Sequence, residues 1–284
     1  MARLLLRSPR SSLATTAESI PARASVEPGG CACATARLQR RLLDRSRRER
    51  PLLDGLTGRR PCLAAAIALA TVATSAQAQV TGSLAADSDY RYRGVSLSGS
   101  EPSARASVNY DAPERWYVGA LLTRAALLPS DTYTQVSGYA GWTTARSDGP
   151  AFEIGLDGSH FAGASNYDFG EAYVGVLADR WSARASFSPD YYGQGTRTAY
   201  LEANLYPPLD RNLRLFAHVG ALVPFGGATG DASKTRFDAS VGVGLALGAW
   251  DLHVAATGAS AGGPYPAVHS GRRATLVVGA AVFF

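Results

Sequence analysis

Ala274-Thr275-Leu276-Val277-Val278-Gly279-Ala280-Ala281-Val282-Phe283-Phe284 closes the chain, and every second residue counted back from Phe284 is apolar: Val282, Ala280, Val278, Leu276 and Ala274. Two-residue alternation is the period of a β-strand that turns one face to an apolar medium. The same period recurs upstream. In 181–188, Trp181, Ala183, Ala185 and Phe187 alternate with Ser182, Arg184, Ser186 and Ser188. In 198–205, Ala199, Leu201, Ala203 and Leu205 alternate with Thr198, Tyr200, Glu202 and Asn204. Segments 213–219 and 237–247 continue the pattern, with Arg214, His218, Asp238 and Ser240 on the polar side. A polar face this regular is not a packed core.

Runs bounded by turn residues give twelve strands: about 80–93, 103–110, 115–124, 132–143, 151–161, 169–178, 180–188, 196–206, 212–222, 236–247, 250–257 and 273–284. Each is near the roughly 9–11 residues that a tilted strand needs to cross a bilayer. The connections are a second test, because a transmembrane barrel keeps both termini on one side and alternates short turns with long outer loops. The second, sixth and tenth connections (111–114, 179 and 248–249) are short, whereas the first, ninth and eleventh (94–102, 223–235 and 258–272) are long. The expected fold is all-β, a transmembrane antiparallel up-and-down β-barrel of about twelve strands over residues 79–284, set among outer-membrane lipids. Its rival is a soluble sandwich or lipocalin-like barrel, which carries the apolar face inside. Aromatics near strand ends suit interfacial girdles: Tyr90, Tyr92, Trp116, Tyr117, Tyr139, Trp142, Trp181, Tyr206, Trp250 and Phe284.

Upstream, Arg59-Arg60 precede an apolar run from Cys62 to Val72 that ends in Ser75-Ala76-Gln77-Ala78. That order reads as a secretory signal peptide over 59–78, cut after Ala78. The run is too short for a spanning helix, which needs about 20 apolar residues. Residues 1–58, rich in Arg, Ala, Ser and Leu, are expected to be an extension ahead of the true translation start, or a disordered one. Cleavage would alter the charge balance: 15 basic against 18 acidic residues follow Ala78, a formal −3. Nucleic-acid binding then has no electrostatic support. Cys31, Cys33 and Cys62 all precede the cut, so no disulfide or thiolate metal site is expected after it.

Ser88-Asp89-Tyr90-Arg91-Tyr92-Arg93-Gly94-Val95-Ser96 resembles the S-D-Y-R-[FY]-R-G-[IV]-S opening of the TorF-type porin family of Gram-negative outer membranes. Fainter echoes are Trp116-Tyr117-Val118-Gly119, residues 137–141, residues 169–175 and Ser188-Pro189-Asp190-Tyr191-Tyr192-Gly193. The chain departs from that family at Ala120–Arg124 and at Gly158-Ser159-His160-Phe161. The resemblance implies a channel role and brings no catalytic residues. The terminal strand likewise resembles the closing strand through which barrel-assembly machinery recognises such proteins, with Phe284 as its signal.

Asp89, Arg91 and Arg93 share one parity of the opening strand. Arg105, Glu153, Asp157, Glu171, Arg184, Glu202, Arg214, His218, Asp238, Asp251 and His253 fall on polar faces of later strands. Together they are the candidate pore-lining set, whose mixed charges would set solute preference. Alternatively, opposite charges pair and plug a narrow barrel. The strand number favours a narrow water-filled path, lying between the roughly eight strands that side chains can fill and the sixteen of wide porins. Replacing Arg184 and Arg214 by Glu is then expected to shift selectivity toward cations with the fold intact.

An outer-membrane hydrolase would need a nucleophile beside a base. Ser159 and His160 are adjacent in a strand and so point to opposite faces. A grouping of Ser240 with His218, His253 or Asp238 is the remaining possibility. No cofactor fingerprint or metal-spaced histidine pair occurs. The sequence thus favours a non-enzymatic, porin-like channel for passive diffusion of small hydrophilic solutes or ions, with a plugged structural barrel as the alternative.

Overall fold

The structure, a computed structural model, describes residues 79–128, 131–144, 149–265 and 273–284. The extension 1–58 and the signal segment 59–78 lie outside the described residues. Alternating sequence becomes strand in chain order: β1 (Gln79–Asp87), β2 (Arg91–Tyr92), β3 (Val95–Ser96), β4 (Ser103–Asp111), β5 (Trp116–Leu128), β6 (Asp131–Thr143), β7 (Ala151–Ala162), β8 (Phe169–Leu177), β9 (Trp181–Ser188), β10 (Thr198–Leu205), β11 (Leu213–Pro224), β12 (Arg236–Leu247), β13 (Trp250–Ala259) and β14 (Ala274–Phe283). All but β2 and β3 form one closed barrel, and β1 pairs antiparallel with β14 to seal it. The seam runs from Ser83 opposite Phe283 to Asp87 opposite Gly279. Beyond it, Gly82 N donates to Phe284 O at 2.8 Å and Phe284 N donates to Gly82 O at 3.0 Å. Closure leaves no free edge to the sheet.

Both ends of the barrel chain, Gln79 and Phe284, therefore meet at one rim, here the turn end; the opposite rim is the loop end. Residues 112–115, 178–180, 206–212 and 248–249 connect strands at the turn end. Residues 88–102, 163–168, 189–197 and 225–235 connect them at the loop end. Two boundaries differ from the sequence expectation by more than two residues. β5 runs on to Leu128, because Ala125 and Leu127 are buried in the lumen and keep its two-residue period going. β1 stops at Asp87 instead of continuing to residue 93, because the chain turns into the barrel there.

The polarity is inside-out. Leu84, Val108, Ile154, Val174, Leu201, Val219, Val241, Leu276 and Val278 stand exposed on the outer wall, while Gln135, Ser137, Glu153, Ser186, Asn204 and Asp251 are buried inside. This is the reverse of a soluble barrel, and excludes the lipocalin-like alternative. All four tryptophans sit exposed at the turn end, with Trp116 directly opposite Trp142 across two strands. Of the aromatics expected in girdles, Trp116, Trp142, Trp181, Trp250 and Phe284 face out, whereas Tyr90, Tyr92, Tyr117, Tyr139 and Tyr206 face inward or pack inside. Strand parity is the reason: Trp116 and Tyr117 are adjacent, so only one of them can face out.

Large inward side chains are seated on glycines of the neighbouring strand. Tyr117 lies opposite Gly141, Tyr139 opposite Gly119, Tyr173 opposite Gly155, Phe216 opposite Gly242 and Arg214 opposite Gly244. Each glycine leaves the notch into which the facing group lies flat, and a Cβ at Gly155 would stand 2.4 Å from Tyr173 Cζ and 2.5 Å from the Ala140 carbonyl oxygen. Gly155→Val should therefore destabilise the barrel by about 1–3 kcal/mol, the usual cost of overpacking. The check is its heat-induced unfolding temperature in detergent; an unchanged value would mean the notch is dispensable.

Candidate functional site in the barrel lumen

The nine residues that resemble the porin motif do not extend the wall. After Asp87, Ser88 stays on β14, with Ser88 N donating to Val278 O at 2.9 Å, and the chain then enters the lumen as a β2–β3 hairpin. Arg93 and Gly94 form its two-residue turn with φ of 49° and 72°, the left-handed pair of a type I′ turn. Glycine is required at the tip, since a Cβ there would stand 2.7 Å from Asp238 Cβ on β12 and 2.8 Å from Ala259 Cβ on β13. At the hairpin's other end, Ala126 N of β5 donates to Leu97 O at 2.6 Å. The segment thus crosses from the β1–β5 side to the β12–β13 wall.

Asp89 holds the hairpin together. Its carboxylate accepts from Ser96 Oγ at 2.6 Å, Ser98 Oγ at 3.1 Å and Arg91 Nε at 2.7 Å, and Arg91 Nη1 donates to Gly94 O at 2.8 Å. Asp89, Arg91 and Arg93 are therefore lumenal, but on a hairpin and not on the opening strand. From the tip, Arg93 Nη1 donates to Glu171 Oε1 at 3.0 Å and Nη2 to Oε2 at 2.5 Å, a two-pronged pair with β8. The guanidinium stands 3.9 Å over the Tyr200 ring, 4.9 Å over Tyr92 and 5.4 Å over Tyr191.

Around this pair the loop end is packed. Tyr90 and Leu97 of the inserted segment, Leu127 of β5, Phe161 of β7, Phe169 of β8 and Leu222 of β11 join Tyr191 and Tyr192 from the β9–β10 loop in one buried cluster, against which Tyr265 also packs. Phe169 and Tyr192 have ring centroids 4.5 Å apart, and Tyr191 and Tyr265 meet edge-on at 5.6 Å. Burial pushes the phenols of Tyr92, Tyr191 and Tyr192 well above the ordinary tyrosine value, and that of Tyr265 up to about 12. The cap is thus neutral rings around one guanidinium.

Below the cap the remaining candidates form polar clusters. Arg184 donates to Glu153 Oε1 from Nη2 at 2.7 Å and from Nε at 3.1 Å, and lies 4.2 Å over Tyr173; Tyr117 donates to Glu153 Oε2 at 3.1 Å. Arg214 forms a two-pronged pair with Asp251. Arg105 Nη2 donates to Asp87 Oδ2 at 2.6 Å, and His253 Nε2 lies 3.1 Å from Asp87 Oδ1. His218 contacts Asp238 Oδ1 through Nε2 at 2.8 Å and Asn204 Oδ1 through Nδ1 at 2.7 Å, with Tyr200 Oη 3.0 Å from Nε2. Asp157 and Glu202 are the exceptions, having no ion pair or side-chain hydrogen bond among the described residues.

Two expectations change with this geometry. Arg184 and Arg214 are not free lumenal charges, so their replacement by Glu would set carboxylates against Glu153 and Asp251 and would not leave the fold intact. Both His218 nitrogens are engaged, so Ser240, directly opposite it in register, has no base there. Ser159 contacts Ser137 at 2.8 Å inside, while His160 lies outside, 2.6 Å from Asp168. Asp87, Asn109 and the inward Tyr117, Tyr139 and Tyr173 fall outside the sequence expectation, although Asp87 shares the parity of Asp89 and Tyr139 that of Gln135 and Ser137; Tyr117 has Leu121 and Leu127 on its parity, so its strand gives no such signal. Among the described residues, no three acidic, His or Cys side chains are arranged to hold a metal ion.

A closed twelve-stranded barrel, apolar outside and charged within, defines a porin-like β-barrel. The chain belongs to the Gcw_chp family, bacterial proteins of unknown function, whose family model matches residues 71–283. No curated protein matches the sequence. Among solved structures it is similar to the NanC porin, with 9% identity and a TM-score of 0.51 over 72% of this chain and 99% of that one. The KdgM porin follows at 9% identity and 0.48 over the same shares, and LpxR from Salmonella typhimurium at 8% and 0.44, also over 72% of this chain and 99% of its own. At such identities the likeness is one of fold alone.

Proposed function

We propose that this protein is a channel of the bacterial outer membrane that passes small hydrophilic solutes, and that its conducting path is closed at the loop end by residues 88–102. The observation that carries the reading is a lumen lined with buried charge inside an apolar outer wall, which only a bilayer makes stable. The resemblance of 88–96 to the TorF-type porins points the same way. Glu202, opposite Arg184 in register, and Asp157 hold no hydrogen-bonded ion pair among the described residues, and are the lumenal carboxylates best placed to bias the path toward cations. A permanently plugged, structural barrel is the second reading, supported by the aromatic cap.

Fractionation should recover the protein in the outer membrane as a heat-modifiable species; recovery from the soluble periplasm would end this reading. In planar bilayers, a variant with residues 89–98 replaced by a Gly/Ser linker of equal length should show single-channel steps that the unaltered protein lacks. Silence of the folded variant would favour the structural barrel. In that conducting background, Asp157→Asn with Glu202→Gln should lower the cation-to-anion permeability ratio, measured as a shifted reversal potential across a salt gradient.

A further inference from the structure

We infer that Glu171, Tyr200 and Tyr191 form a recognition site for a guanidinium-type cation, and that Arg93 is a tethered ligand occupying it in the closed channel. This deepens the channel reading and rests on it. The site has the parts such a cation needs. Glu171 offers both carboxylate oxygens to one planar fork, and Tyr200, 2% exposed, supplies a ring face 3.9 Å from the guanidinium carbon. A two-pronged carboxylate selects guanidinium over a point-like ammonium, and ring faces favour it over a hydrated alkali ion.

The wall residues come from β8, β10 and the β9–β10 loop, whereas Arg93 arrives on a separate hairpin joined to the wall at its two ends. Its residue conformation is also costly, since a non-glycine side chain at φ of 49° persists only where surroundings hold it. Withdrawing Arg93 would leave the Glu171 carboxylate, opposite Asp157 in register, without its two-pronged partner. A soluble guanidinium entering from the loop end would meet that unpartnered carboxylate and the vacated rings. The closed state and the occupied site are then one contact, and a solute of this class competes with the plug for its seat.

The test uses methylguanidinium on Arg93→Ala, with heat-modifiable mobility as the check of folding. Arg93→Ala should conduct where the unaltered protein is silent, and methylguanidinium should both block that current and raise the unfolding temperature of the variant, whereas equal concentrations of potassium or tetramethylammonium should do neither. Glu171→Gln should abolish the block, and Tyr200→Leu should weaken it about tenfold, the scale of one desolvated cation–π contact. If Arg93→Ala does not fold, the linker variant presents the same empty site and takes the same probe. A conducting variant that methylguanidinium neither blocks nor stabilises overturns the inference and leaves the channel reading standing. A linker variant that is folded but silent overturns the channel reading, and stabilisation by methylguanidinium still decides the site.

Discussion

Arg184→Glu is expected to abolish folding of the barrel, and Glu153→Arg in the same molecule is expected to restore much of it. The Arg184 side chain is 9% exposed and that of Glu153 1%, with two hydrogen bonds between them and a ring beneath the guanidinium. Removing one member of a buried pair costs roughly 3–5 kcal/mol, because the other charge is left uncompensated. Putting a second carboxylate in its place adds repulsion in a medium of low dielectric. Against a total stability on the order of 5–15 kcal/mol, that loss is large. The swapped pair regains charge balance but not the seat of Glu153 against Gly175, so recovery is incomplete. The fraction that refolds in detergent, read by heat-modifiable mobility, decides it; an Arg184→Glu protein that refolds like the unaltered one would show the pair to be dispensable.

That expectation differs from the one sequence alone supports, and the difference marks what was legible. Strand faces were readable because a one-residue error in register would turn every Leu and Val of a strand inward. Parity put Arg184, Glu153, Arg214 and Asp251 inside. It says nothing about which strands lie within reach across a closed curve, and both pairs skip a strand, β7 to β9 and β11 to β13. Partnering is a property of the lumen's curvature and of side-chain length, neither of which has a sequence period.

The hairpin was hidden for a different reason. Asp89, Arg91 and Arg93 alternate with tyrosines, and a short hairpin arm has the same period as a barrel strand, so residues 88–93 read naturally as more wall. The separating feature is Arg93-Gly94 followed at once by Val95-Ser96. The glycine permits a two-residue type I′ reversal, but Arg is not one of the Asn, Asp or Gly residues that signal such a turn in sequence, so the reversal, at the very start of the 94–102 connection, reads as an ordinary strand end. The pairing of Asp89 with Ser96 and Ser98 follows from that fold-back. Most of the motif's residues now have physical work: Ser88 at the seam, Asp89, Arg91 and Ser96 in the clasp, Tyr90 and Tyr92 in the cap, Arg93 across the lumen and Gly94 against the far wall.

The terminal strand separates folding from delivery. Phe284 is 74% exposed, its ring lies over Gly82 on the outer wall, and its backbone makes two hydrogen bonds to Gly82 at the seam. A polar replacement keeps both backbone bonds and loses only an exposed ring, so Phe284→Ser should change the unfolding temperature of protein refolded in detergent very little. If the barrel-assembly machinery reads this ring, the same substitution should greatly reduce the amount of heat-modifiable barrel recovered from the outer membrane, while unassembled chain is degraded. Deleting residue 284 removes the two backbone bonds as well, and should lower both assembly and stability. The contrast between the two variants isolates recognition from closure. Normal recovery of Phe284→Ser from cells would assign the residue to the seam alone, and an equal fall in refolded stability would place its contribution in packing against Gly82 rather than in delivery.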